Sequence, residues 1–151
     1  MKTAVCLLLY QQDKVLAISR RNDLTKWGLP GGKVDPNEAN VEACQREVAE
    51  ELGLHAALTA YEPLWVGFCP GRLAPPVDYW VTTYVWVDGL IDIDRLVPEL
   101  GFQVRWMTRA ELEDPKISPF ADYNASVFEA YDRYVFATTI SSSRTSHGLP
   151  A

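Results

Sequence analysis

Apolar and polar positions along the chain change their period several times, and each change marks an element. Residues 3–11 and 14–20 are two apolar, β-branched runs around a short Gln-Asp turn, the pattern of a hairpin. Both are expected to be central strands. Residues 22–33 contain Trp27-Gly28-Leu29-Pro30-Gly31-Gly32, too many breakers for a helix or a long strand, and are expected to form an ordered loop. From residue 37 to 52 the period lengthens. Val41, Cys44, Val48 and Leu52 recur at spacings of three, four and four, one narrow apolar stripe on a helix. Asp35-Pro36-Asn37 supplies start signals with Asn37 as N-cap, and Gly53 stands where a left-handed C-cap residue is wanted.

Residues 57–68 and 77–87 read as strands joined across residues 69–76, a segment with three prolines and a glycine. In the second strand Tyr79, Val81, Thr83, Val85 and Val87 share one face and Trp80, Thr82, Tyr84 and Trp86 the other, and neither face suits water alone. Residues 102–107 read as a further strand, 109–113 as a short helical turn and 120–134 as a terminal helix. Residues 138–151 are rich in Ser and Thr and are expected to fray as a flexible tail. With no repeat and no linker, residues 1–137 form a single domain of the α/β (α+β) class.

Composition narrows the function classes. The 151 residues hold 14 Lys and Arg against 20 Asp and Glu, a net charge of −6, which argues against a nucleic-acid polymer as partner. No apolar run approaches the roughly 20 residues of a membrane span, and the first residues lack a secretory h-region, so a cytoplasmic location is expected. Cys6, Cys44 and Cys69 have no CxxC spacing and read as buried free thiols. His55 and His147 fall outside any metal-like or triad spacing.

The chemistry is concentrated on the first helix. Glu47, Glu50 and Glu51, at i, i+3 and i+4, share a face next to the apolar stripe. Like charges so placed repel, by a few tenths of a kcal/mol per exposed pair and more where water is excluded. A hard divalent cation relieves that repulsion, since Mg²⁺ takes one or two carboxylates, keeps waters, and binds substrate phosphates in its remaining positions.

The wider spacing is more specific. Gly32, five residues, Glu38, seven residues, then Arg46-Glu47-Val48-Ala49-Glu50-Glu51-Leu52-Gly53-Leu54 fits GX5EX7REUXEEXGU, with U aliphatic, at every specified position. This resembles the box of the Nudix hydrolases, and Trp27 to Val34 resembles the family's approach to it. The resemblance extends by coarse strand order over about residues 3–135. It implies an α/β/α sandwich with a mixed β-sheet between helices. It also implies a MutT-like enzyme that uses Mg²⁺ (or Mn²⁺) to hydrolyse a nucleoside diphosphate linked to a group X. By position in the box, Glu47, Glu50 and Glu51 are the implied metal ligands, with Glu50 or Glu51 also handling the nucleophilic water. Arg46 is similar to the arginine that orients the box glutamates, Glu38 is a salt-bridging carboxylate, and Gly31 or Gly32 offers a backbone carbonyl to the metal.

Outside the box, Glu99 is expected as an extra ligand or general base, with Asp92 and Asp94 as competitors. Arg20, Arg21 and Lys33 are expected to neutralise substrate phosphates. Tyr79, Trp80, Tyr84 and Phe120 are the candidates for stacking a base, and Asp122 or Asn124 for reading its edge. The segment 118–124 resembles the one that opens the last helix in MutT-like triphosphatases. The expected substrate is therefore a small nucleotide, a nucleoside or deoxynucleoside triphosphate, oxidised forms included. ADP-ribose or a nucleoside diphosphate sugar stands behind it, with Pro70, sixteen residues after Leu54, as the feature in its favour, and a non-catalytic nucleotide-binding module comes last. The aromatic faces of residues 77–87 leave a homodimer open.

Overall fold

The computed structural model describes residues 2–71 and 76–148, with side chains through residue 141. The expected 69–76 connection therefore falls partly outside the described residues, as do the His147 side chain and the last residues of the tail.

Two sheets arise from one interrupted run. β1 (Lys2–Leu8) and β2 (Tyr10–Gln11) part company at Leu9, and each joins a different sheet. The expected hairpin lies between β2 and β3 (Lys14–Arg20), with Tyr10 opposite Val15. Its turn residues Gln12 and Asp13 both have positive φ, 52° and 64°, as the tightest hairpin turns require.

The segment expected as a loop instead forms β4 (Asp23–Gly28) and β5 (Gly31–Lys33), separated only by Leu29-Pro30. Long-range pairing overrides the local breakers. β4 pairs with β3, and β5 pairs with β1, placing Gly31 opposite Cys6. The glycines suit that pairing, because a Cβ on Gly31 would overlap the Val5 carbonyl and the Cys6 Cα.

β6 (Tyr61–Cys69) and β7 (Tyr79–Trp86) complete a mixed sheet in the order β5-β1-β7-β6, in which β1 and β7 run parallel. The second sheet is antiparallel. β3 lies at its centre, with β8 (Val104–Met107) on one edge and β2 and β4 in tandem on the other. β1 and β3 are thus central, as their patterns predict.

β1 separates two cores. Val5, Leu7 and Leu9 pack with Cys44, Val48 and Leu52 of α1 (Asn40–Leu52), whereas Cys6 and Leu8 pack with Tyr123, Val127 and Phe128 of α3 (Ala121–Gly148). The two-residue alternation of a strand therefore places a helix on each face of the mixed sheet, an α/β/α sandwich. A short helix, α2 (Arg109–Leu112), follows β8.

Two boundaries differ from the sequence expectation. The N-cap of α1 is Ala39, because Asn37 occupies a left-handed position at φ 64° inside the preceding turn. Glu42 Oε1 accepts the Ala39 N–H at 3.0 Å, the half of a capping box that needs no cap side chain. At the other end Gly53, φ 64°, donates to the Ala49 carbonyl as expected. α3 runs on from the predicted end at Tyr134 to Gly148, since no proline or glycine interrupts residues 121–147. The composition change at Thr138 is not a helix end.

Candidate active site

The site lies where the last turns of α1 cross β5. Val48 and Leu52 face the core with no exposure, which turns Glu47 and Glu51 toward the glycines of β5 and leaves Glu50 toward solvent. Gly31 N–H donates to Glu51 Oε2 at 3.3 Å. A Cβ on Gly32 would overlap the Glu47 carboxylate, so a glycine there is what lets this carboxylate lie against the strand.

Arg46 joins the parts. Its Nε and Nη2 donate to the two Glu38 oxygens at 2.8 and 3.0 Å, Nη1 donates to Glu47 Oε1 at 2.9 Å and Glu50 Oε2 at 3.3 Å, and Nη2 reaches the Lys33 carbonyl at 3.0 Å. Bidentate pairing of this kind gives geometric specificity as well as energy. It holds the Glu38 carboxyl at about 2, well below the usual carboxylate range, and raises the Arg46 guanidinium.

Glu51 goes the other way. Burial, then the adjacent Glu47 carboxylate, push it up to about 8, with Glu99 adding to the rise and the Gly31 N–H opposing it. Glu47 and Glu51 are close enough to exchange a hydrogen bond. Two carboxyls in that relation need a proton or a cation between them. The donor set is all oxygen, which suits a hard cation. Among the described residues no three His, Cys, Asp or Glu side chains already converge as a cage. Arg46 is engaged with two of the three box glutamates.

Beside Glu51 opens a cleft of about 320 Å³, its mouth included, lined by Ile18, Ser19, Arg20, Gly28, Leu29, Gly31, Phe102 and Phe120. Arg20 lies over the Phe120 ring, 5.6 Å from its centroid. The structure thus gathers Glu47, Glu51, Gly31, Gly32, Arg46, Arg20 and Phe120. It also brings in Glu99, whose backbone N–H donates to the Glu51 carbonyl at 3.0 Å.

Other expected residues lie elsewhere. Lys33 is exposed beyond Gly32, with its carbonyl held by Arg46. Arg21 lies against residues 99–102. Trp80 is opposite Thr3, three residues or about 10 Å along β1 from the position opposite Gly31, and makes an edge contact with Phe68. Tyr79 is opposite Lys2, farther still, and Tyr84 is buried in the α1-side core. Asp122 is exposed in the first turn of α3. Asn124 is buried, and its Nδ2 donates to the Leu112 carbonyl and Ser118 Oγ at 2.9 and 3.1 Å. That amide anchors the start of α3 and offers no edge to a base. Asp92 accepts from the Asp94 N–H and caps the 3-10 turn Ile93–Arg95.

Sequence reasoning missed Ser19, Leu29 and Phe102 as cleft residues. Leu29 lies in the approach to the box, which marks it. Ser19 and Phe102 carry no local signal, since they meet only through the register of β3 with the segment ahead of β8.

Comparisons with known proteins agree with this architecture. Human 8-oxo-dGDP phosphatase NUDT18 is 34% identical over 119 residues, 74% of this chain and 33% of that protein. Nucleoside triphosphatase NudI of Enterobacter sp. (strain 638) is 33% identical over 66 residues, 41% of this chain and 47% of that protein. The chain thus spans about a third and about half of these two relatives. Among solved structures, the MutT protein of Methanosarcina mazei Go1 superposes with a TM-score of 0.63 at 23% identity, covering 88% of this chain and 94% of that one, a likeness of fold. Residues 1–130, from β1 through the site and into α3, match the model of the NUDIX domain, and the chain belongs to that family.

Proposed function

We propose that this chain is a divalent-cation-dependent pyrophosphohydrolase, using Mg²⁺ or Mn²⁺, that cleaves a nucleoside or deoxynucleoside triphosphate, oxidised forms included, to nucleoside monophosphate and pyrophosphate. The observation that carries the reading is that Glu47 and Glu51 both lie against the glycines of β5, Glu51 accepting the Gly31 N–H at the edge of a cleft flanked by Arg20. NUDIX enzymes use divalent cations on small nucleotide substrates, and the names of the relatives, an 8-oxo-dGDP phosphatase and a nucleoside triphosphatase, favour nucleotide phosphates.

Glu47, Glu50 and Glu51 would hold the cation, with the Gly31 or Gly32 carbonyl as a further oxygen. When bound, the cation supplies a Lewis acid for the phosphoryl oxygens and for a water. The protein's own groups do the rest. Arg46 orients Glu47 and Glu50. Arg20, exposed at the cleft mouth, offers charge to the phosphates, and Phe120 offers a ring face. Glu51, which accepts the Gly31 N–H at the edge of the cleft, is the carboxylate assigned to take a proton from water once the cation has displaced its own, with Glu99 beside it.

The test is a panel of canonical and oxidised dNTPs, NTPs, ADP-ribose and nucleotide sugars with each cation, products being resolved by chromatography. Nucleoside monophosphate and pyrophosphate from a triphosphate are expected, and Glu51→Gln should lower kcat by about a hundredfold or more. A kcat/KM preference for ADP-ribose over every triphosphate overturns the substrate assignment. Unchanged turnover in Glu51→Gln overturns the catalytic one.

A further inference from the structure

Between β7 and β8 the chain crosses the site as a strap, residues 97–103. On one side it closes the end of α1. Val97 N–H donates to the Leu52 carbonyl at 2.8 Å and Glu99 N–H to the Glu51 carbonyl at 3.0 Å, two of the acceptors that a helix leaves open at its C-terminus. On the other side it joins the β3–β4 region, through Asn22 N–H to the Gly101 carbonyl at 2.8 Å and Ser19 N–H to the Gln103 carbonyl at 2.9 Å. In between, Phe102 N–H donates to the Glu99 carbonyl at 3.0 Å and closes a turn in which Gly101 has φ 93°.

At the crest of this turn Leu100 is 91% exposed, and the turn's apolar anchor is Phe102, which packs against the α1-side core. One side chain grips the turn as well. Arg21 Nη2 lies 3.6 Å from Glu99 Oε1, Nη1 donates to the Leu100 carbonyl at 3.4 Å, and the guanidinium stacks 4.9 Å from the Phe102 ring centroid. Each contact alone is weak, since an exposed ion pair contributes about 0–1 kcal/mol. All three, however, come from one planar group and restrain the same four residues. Only an arginine combines a donor fork with a stacking face. These contacts turn the guanidinium toward the strap, away from the role in neutralising substrate phosphates that its sequence position suggests.

We propose that Arg21 is a positioning residue: it holds the turn from Glu99 to Phe102 against the end of α1, so that the Glu99 carboxylate and the Phe102 ring keep their places beside Glu51 and the cleft. The catalytic half of this inference rests on the pyrophosphohydrolase reading. The structural half does not.

Two measurements test it. Amide hydrogen exchange in cation-free protein should show residues 97–103 exchanging faster in Arg21→Ala than in the parent, with β1 and β7 unchanged, and Arg21→Lys lying between. In steady-state kinetics Arg21→Ala should lose about ten- to a hundredfold in kcat, the scale on which partners that orient metal-site groups act. The loss should fall more on kcat than on KM, because Arg21 reaches the cleft only through Phe102 and Glu99. Arg21→Ala combined with Glu99→Gln should lose less than the product of the two single losses. Unchanged exchange in the strap overturns the proposal. So does a raised KM at retained kcat, which would make Arg21 a substrate contact, and so do multiplicative losses in the double variant. A parent with no turnover on the panel overturns the hydrolase reading and the catalytic half with it, whatever the strap does.

Discussion

Glu51 should make the cation-free protein less stable as pH rises, and Glu51→Gln should remove that loss. In the folded chain the carboxyl is carried from an ordinary 4.5 to about 8, first by burial and then by Glu47. Between those values the native state binds a proton that the unfolded state has released, so stability falls with pH. The slope is about 1.4 kcal/mol per pH unit for one proton, and the whole span corresponds to roughly 3–5 kcal/mol. The stabilisation is fully present below pH 4.5 and is lost as pH rises through 8. Glutamine resembles the protonated carboxyl in shape and does not ionise. Urea unfolding in a chelator, at pH steps from 5 to 8.5, should therefore find the two proteins nearly equal at pH 5 and the variant more stable by a few kcal/mol at pH 8.5. All other titrating groups are common to both, so the difference reports the Glu47–Glu51 pair as one titrating unit. With millimolar Mg²⁺ the parent should recover stability at pH 8 and the variant should recover less. Parallel stability curves in chelator would refute the reasoning, because they would mean that the buried carboxyl ionises without cost.

Gly32→Ala places a methyl group against the Glu47 carboxylate. It should cost about 1–3 kcal/mol by overpacking and weaken Mg²⁺ activation, read by thermal melting and by a cation titration of kcat. Arg46→Lys keeps the charge and loses the fork that spans Glu38, Glu47 and Glu50. A fall of about tenfold or more in kcat/KM is expected, on the scale of lost orienting contacts, and full activity would show that the fork is not needed. Asn124→Ala takes the amide donor from the buried Leu112 carbonyl and from Ser118 Oγ, which keeps only the Phe120 N–H. A loss of about 1–3 kcal/mol in unfolding free energy is expected, and an unchanged denaturant midpoint would show that the amide does not anchor α3.

The parts of the site that lie within one helix are legible in the sequence. The apolar stripe of α1 orients its glutamates, and the resemblance of the Gly32, Glu38 and Arg46 positions to the Nudix box implies the ion-pair hub that the structure contains. What cannot be read locally is set by pairing between distant segments. β5 looks like a turn because two of its three residues are glycine, and only its partner β1 makes it a strand. Asn37 and Ala39 exchange roles because the turn ahead of α1 needs a left-handed residue, which asparagine tolerates. Tyr79, Trp80 and Asn124 have the right chemistry for a base and stand in the wrong places, because their positions follow from strand register and from the anchorage of α3. Arg21 and Phe102 are 81 positions apart, and their stack exists only once β3 and the approach to β8 are paired.

The parallel partnership of β1 with β7 ties the first strand to a distant part of the chain. Lys2 faces Tyr79 and Leu8 faces Val85, so one edge of the first strand is completed by a segment 77 residues downstream, while its other edge pairs with the nearer β5. Local pieces such as the β2–β3 hairpin and α1 close cheap loops and can form early, but a strand pair of such separation carries a large closure entropy and forms slowly. Until it does, α1 has only half a wall beneath it, since Tyr84 of β7 belongs to the core that holds its apolar stripe. A chain truncated before Tyr79 would thus carry every residue of the motif without the β7 part of the wall on which α1 packs.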